Sequence, residues 1–298
     1  MVRGIQAHWM SEGIRNLRDM VYLPGSLDID VFAESLRSSV AYPESFDRWR
    51  SSAEYAIALH DADRHDGPLV GQTGGVPELP LGVEWPVWDG SDQIGYGVQP
   101  LHFVARIDCA ALPATAAELG YPTEGTLLFF HFDDERLGQF VQPRPGNPAY
   151  PDGFRVIYVG ADEIVESRPA PDGLEIYEPR GLVAEVVQTM HGVPCRYEDS
   201  ESIYKALVDP FSVAEPDAGQ LAGIPASMQD PVEEEVAEAV ANGLTDPALR
   251  GSFDEDEEWV LLASFYYERH FGLLYYLIQP DDLTARRFDK VMFTWQCT

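Results

Sequence analysis

The chain has 298 residues, 45% of them apolar and 23% charged, with 14 Phe, 14 Tyr and 6 Trp, enough large side chains to build a core and to exclude wholesale disorder. Fifty acids against twenty bases leave a formal charge of −30. That field repels nucleic-acid phosphates and anionic membranes, so neither is an expected partner, whereas a basic protein partner or simple solubility suits it.

No stretch reaches the roughly 18 apolar residues of a membrane-spanning helix. Gln6, His8, Ser11 and Glu12 interrupt any signal-like apolar run near the start, so a cytoplasmic location is expected. Cys109, Cys195 and Cys297 are odd in number, far apart and without C-x-x-C spacing. They offer neither a disulfide framework nor a zinc ligand set, and are expected to be apolar fillers or reduced thiols.

In chain order, residues 1–54 read as an N-terminal helical lead-in. Leu27, Ile29, Val31, Phe32 and Leu36 have helical spacing, Ser26 is a candidate N-cap, and the helix must stop before Pro43. From residue 55 to 298 the texture is β-rich. Ala56–Leu59 reads as a strand, and the Gly- and Pro-rich stretch from Gly67 to Pro86 forbids a helix. Strands are predicted at Leu101–Asp108, Gly125–Phe132, Phe154–Val159 and Gly173–Tyr177, with a short helix at Leu112–Leu119. Another short helix is expected near residues 200–208. A clearer one follows Asp230, with Asp230 and Glu233 as an acidic capping box, Val232, Val236 and Val240 on its inner face, and Asn242-Gly243 as its end. Strands at Trp259–Ala263, Gly272–Ile278 and Val291–Trp295 close the chain.

Self-similarity runs through this body. Gly75-Val76-Pro77 is echoed by Gly223-Ile224-Pro225, His102–Ala105 by Val260–Ala263, Gly125–Phe130 by Gly272–Tyr276, and Asp133-Asp134 by Asp281-Asp282. The order is a Gly-x-Pro turn, an apolar strand, a glycine, an aromatic strand and an acidic turn. It predicts pseudo-repeats at about 73–134 and 221–283, each hiding the other's apolar sheet face.

The same landmarks carry a resemblance. Thr73–Pro80, Glu84-Trp85-Pro86, Pro100–Asp108 and Gly125–Phe130 resemble the signature of the YwqG-like family, a bacterial family of unknown function. Trp259–Ala263, Gly272–Tyr276, Asp282-Leu283 and Phe288-Asp289 resemble its closing segment. The resemblance implies a mainly β (α+β) fold, a roll-like antiparallel architecture with internal pseudo-duplication and a few peripheral helices. It implies no chemistry; an immunity-type role against a basic toxin is the suspicion attached to some members. Arg106 and Ala263 stand where the family carries glutamine, and His270-Phe271 where it carries Gly-Asp.

Candidate functional residues fall into three groups. His60, Asp61, Asp63 and His65 combine imidazole and carboxylate within six residues, a donor set suited to zinc, manganese or iron and hence to a metal-dependent hydrolase, with His102 or His131 as a further ligand. Against this stands a plain polar loop after a strand. Trp85, Trp88 and Tyr96 surround a Pro-rich turn and form a candidate binding patch, or cover a sheet end. Arg106 and Asp108 share a strand face and are expected to pair. The acidic run Asp254–Glu258 is either a solvated loop or a contact for a basic partner. Nucleophile-elbow, phosphate-loop, dinucleotide and H-E-x-x-H motifs are all absent from the sequence, so no catalytic residue and no cofactor is predicted. The leading expectation is an interaction protein; a metal-dependent hydrolase is the alternative.

Overall fold

The computed structural model describes residues 20–39, 46–89, 97–133, 153–192, 213, 215–241, 258–267 and 272–297. The first half contributes β1 (Met20–Pro24), α1 (Ile29–Leu36), α2 (Phe46–Arg50), β2 (Glu54–Asp61), β3 (Leu69–Thr73), β4 (Glu78–Pro80), β5 (Val87–Asp89), β6 (Val98–Pro100), β7 (His102–Asp108), α3 (Thr115–Glu118), β8 (Thr126–His131) and β9 (Phe154–Val159). The second contributes β10 (Val165–Ser167), β11 (Arg180–His191), β12 (Gly219–Leu221), α4 (Val232–Ala241), β13 (Val260–Tyr267), β14 (Gly272–Ile278), α5 (Pro280–Thr284) and β15 (Met292–Cys297).

Among the described residues, one eleven-stranded sheet runs β15-β14-β13-β12-β2-β11-β3-β7-β8-β9, with β1 paired to β11 off this path. Every pairing is antiparallel. The sheet curls until its two ends meet, where Phe154 on β9 stacks on Phe293 of β15 with ring centroids 5.6 Å apart. A roll of this kind leaves little edge for intermolecular pairing.

The strands read as continuous apolar runs because both faces are covered. On β8, Leu127 and Phe129 enter the interior of the roll, while Leu128 and Phe130 join an outer cluster with Trp85, Trp88 and Leu101. On β14, Leu274, Tyr276 and Ile278 point inward, and Leu273, Tyr275 and Leu277 meet Val232, Val236 and Val240 of α4 outside. The two sides of the roll meet in the interior, where Phe129 lies edge-on to both Phe265 and Tyr276 at 5.0 Å.

Both halves run outward through the sheet in matching order, β3-β7-β8-β9 on one side and β12-β13-β14-β15 on the other. The strands β7 and β13 are each bulged, between Phe103 and Ala105 and between Leu261 and Ala263. Gln72 and Gln220 each donate through Nε2 to the carbonyl two residues on, at 3.0 and 2.7 Å. Gly75 and Gly223 follow with φ of 76° and 67°, a conformation that glycine adopts without a Cβ penalty.

Several expectations change. The first helix is capped by Asp28, not Ser26: its Oδ1 accepts from the N–H groups of Asp30 and Val31, both at 3.1 Å. Residues 20–24, placed by sequence in the helical lead-in, pair with the 187–191 end of β11, so this part of the lead-in is a strand of the main sheet. Gly173–Tyr177 is not a strand; Tyr177 instead gives its carbonyl to the N–H of Gly75, which ties the segment across a turn. The expected helix at 200–208, the Asn242-Gly243 stop and Asp254–Glu257 of the acidic run lie outside the described residues. Among the described residues no helix is long and apolar enough to cross a membrane.

Candidate metal centre and adjoining cavity

The end of β2 and the start of β12 build this region. β12 pairs with β2, Gly219 opposite Leu59, which delivers Asp217, two residues before the strand, to the end of β2. There Asp217 Oδ1 accepts the Asp61 N–H at 2.9 Å. Beyond Asp61 the chain turns tightly: its carbonyl accepts from the N–H groups of Arg64 and His65, and its Oδ1 accepts from that of Asp63 at 2.9 Å. The turn folds His65 back over His60, with ring centroids 4.3 Å apart.

His60, His65 and Asp217 thereby converge, with a donor atom from each lying within 4.8 Å of the others. His60 Nδ1 is 3.6 Å from Asp217 Oδ1, and His65 Nε2 is 3.5 Å from Asp217 Oδ2. The other His60 nitrogen, Nε2, faces Glu185 Oε2 of β11 at 3.9 Å. The His60 side chain is only 3% exposed, and both its ring nitrogens are buried without a hydrogen-bond partner. His65 and Asp217 are open to solvent at 36% and 25%, and Arg64 reaches Asp217 Oδ2 at 3.5 Å. Burial and the neighbouring His65 lower the His60 pKa against the pull of Asp217 and Glu185. Burial works to raise that of Asp217, but the Asp61 N–H, His65, His60 and Arg64 together hold it below the ordinary value.

Asp217 also lines a cavity of about 340 Å³ at this end of the roll. Four carboxylates, Asp61, Glu175, Glu178 and Asp217, face it with one guanidinium, Arg180, and its walls include Tyr177, Phe265 and Tyr266. Tyr177 is held in place: its hydroxyl donates to Asp133 Oδ2 at 3.1 Å and lies 3.1 Å from His131 Nε2, and the His102 ring stacks on it.

Of the residues singled out from sequence, His60 and His65 come together and Asp61 lies beside them on the cavity side. Asp63 is exposed and outside the cluster. The side chain that joins the two histidines is Asp217 and not His102 or His131, which face each other across β7 and β8. Trp85 and Trp88 are 8% and 2% exposed, so they serve the core rather than an open patch; Trp85 Nε1 donates to the Leu101 carbonyl. Tyr96 lies outside the described residues. Arg106 pairs with Glu78 of β4 at 3.2 Å instead of Asp108, whose carboxylate caps the following turn by accepting the Ala110 N–H. Asp217 gave no sequence signal: it stands alone, 156 residues from Asp61.

A family model described as "Domain of unknown function (DUF1963)" matches residues 71–297. The match takes in Asp217, Glu185 and most of the cavity lining but begins after His60 and His65. No curated protein matches the chain.

Proposed function

We propose, from the premise that the chain belongs to the DUF1963 family of unknown function, that it is a recognition protein whose cavity receives a cationic group, an amine or guanidinium presented by a basic partner. The observation that carries this reading is the lining: four carboxylates against one guanidinium, beside three aromatic rings. Carboxylates supply charge-assisted hydrogen bonds to such a cation, and ring faces attract it further. A space of about 340 Å³ takes a long side chain or a small polyamine, not a folded domain. The overall charge of −30 would speed the approach of a basic partner. The YwqG-like landmarks, with an immunity-type role against a basic toxin, agree with the same chemistry.

Calorimetric titration of the full chain with spermidine and with a short arginine-rich peptide tests this. Saturable one-to-one binding is expected, weakened by salt and lowered at least about tenfold by the double change Glu175→Gln and Glu178→Gln, since the loss of even one charged hydrogen bond has about that effect. Equal affinity in the double variant, or no saturable binding, would refute it.

A further inference from the structure

We propose that His60 Nδ1, His65 Nε2 and the Asp217 carboxylate form a binding site for a divalent transition-metal ion of the zinc class, with Glu185 orienting His60. The distances favour this over an ordinary hydrogen-bonded polar cluster. Separations of 3.5 and 3.6 Å from Asp217 to the two imidazoles lie at or beyond the limit of a useful hydrogen bond. They come close to the separation of ligands that share one ion, about 3.4 Å for tetrahedral neighbours at bonds of about 2.0–2.2 Å, although each imidazole lies nearest a different oxygen of the one carboxylate and the three donors span up to 4.8 Å.

The second observation is His60 itself. A buried imidazole with neither nitrogen hydrogen-bonded is costly unless something else engages it. Here one nitrogen faces the cluster and the opposite one faces Glu185 at 3.9 Å. That is the arrangement of a metal-ligating histidine, whose second N–H goes to a carboxylate that fixes ring orientation and raises basicity. A small contraction would close that bond.

Solvent reaches the cluster through His65 and Asp217, which gives an ion its path of entry. Arg64 reaches the same carboxylate, but its side chain is 65% exposed and free to swing away. Three protein ligands leave at least one coordination position for water or an incoming donor, unlike a closed four-ligand structural site. Asp217 belongs to both the cluster and the cavity wall, so the ion would sit at the rim of the cavity. This site does not depend on the cavity taking a cation.

The test is titration of the tag-free full chain with cobalt(II), read by its visible absorption, followed by displacement with zinc(II). Saturation at one equivalent is expected, with displacement by zinc. His65→Ala and Asp217→Asn, both solvent-accessible changes that leave the buried His60 in place, should each weaken binding at least about tenfold. Glu185→Gln should weaken it within the roughly 10- to 100-fold range of an orienting carboxylate. Asp63→Asn should bind as the parent does, and so should the Glu175 and Glu178 double variant, which separates this site from the cavity reading. Circular dichroism checks that each variant is folded. Failure to saturate at one equivalent, or unchanged binding in both folded variants His65→Ala and Asp217→Asn, overturns the proposal.

Discussion

At the scale of single residues, the two most constrained positions are glycines. A Cβ on Gly71 would lie 2.2 Å from the Arg106 carbonyl oxygen, and one on Gly219 would lie 2.1 Å from that of Ser264. Backbone atoms of a paired strand cannot swing aside as a side-chain tip can, so even alanine must push strands apart at matching places in the two halves. Gly71→Ala or Gly219→Ala is expected to cost roughly 1–3 kcal/mol or more by chemical denaturation, the range of forced overpacking. Gly173→Ala is the comparison: its φ of 83° is strained, yet nothing lies within 4 Å, and it should cost about 1 kcal/mol. A loss at Gly71, whose φ is not positive, no larger than that at Gly173 would mean that a small strand shift relieves the close approach and that it does not set the requirement. Residue identity made two of the three members of the candidate metal centre legible. His60 and His65 stand out because two good ligands lie five positions apart. Asp217 does not, because its place follows from β2–β12 pairing across a long stretch of chain, and a lone aspartate in an acidic protein carries no signal.

At the scale of elements, the strands that could be read were those covered on both faces. Gly125–Phe130 and Gly272–Tyr276 are continuous apolar runs because the interior takes one face while Trp85 and Trp88, or α4, take the other. Gly173–Tyr177 has the same look, but Tyr177 serves Gly75, Asp133 and His131 and leaves the sheet to others. The long β11 went unnamed because it mixes Glu185, Gln188 and Thr189 with its valines, the pattern of a strand whose ends meet different neighbours. The helix α4 was legible from its valines and brings a titratable device. Burial, aided by Glu54 and Glu234, pushes the Glu233 carboxyl up to about 7 from 4.5, against the pull of its own backbone N–H in the first helical turn. A folded value above the unfolded one means that the stabilisation is complete below about pH 4.5 and lost as pH rises through about 7. The loss amounts to no more than about 3 kcal/mol. Urea denaturation at pH 5 and pH 8 should therefore show a drop in stability that Glu233→Gln reduces, the variant gaining about 1–3 kcal/mol at pH 8 only. An unchanged difference between the two pH values would place the effect in other groups.

At the scale of the whole molecule, the order of strands makes the two halves interdependent. β2 belongs to the first half, yet its neighbours are β11 and β12 of the second; β11 in turn lies between β2 and β3. Eight residue pairs join β2 to β11 and three join β2 to β12. Each half therefore lends a strand to the other, β2 from the first and β11 from the second, so that the main sheet of each is continued by a strand of its counterpart. The Gly-x-Pro echoes in the sequence fall where the two sides of the sheet match in strand order, bulge and Gln-Gly turn. The exchange of strands was not visible, because periodicity shows which residues face a core but not whose core it is. The exposed Asp172-Gly173 turn lies between β10 and β11 and has nothing packed against the glycine. Cleavage at a protease site placed there should leave residues 1–172 and 173–298 associated, eluting together from a sizing column with the far-ultraviolet spectrum of the intact chain. Expressed separately, the pieces should lack cooperative unfolding and regain it on mixing, since the cut removes one connection while every β2–β11 and β2–β12 hydrogen bond stays available. A first piece that unfolds cooperatively as a monomer on its own would show that the borrowed strands are dispensable, and would locate stability within each half instead of in the seam between them.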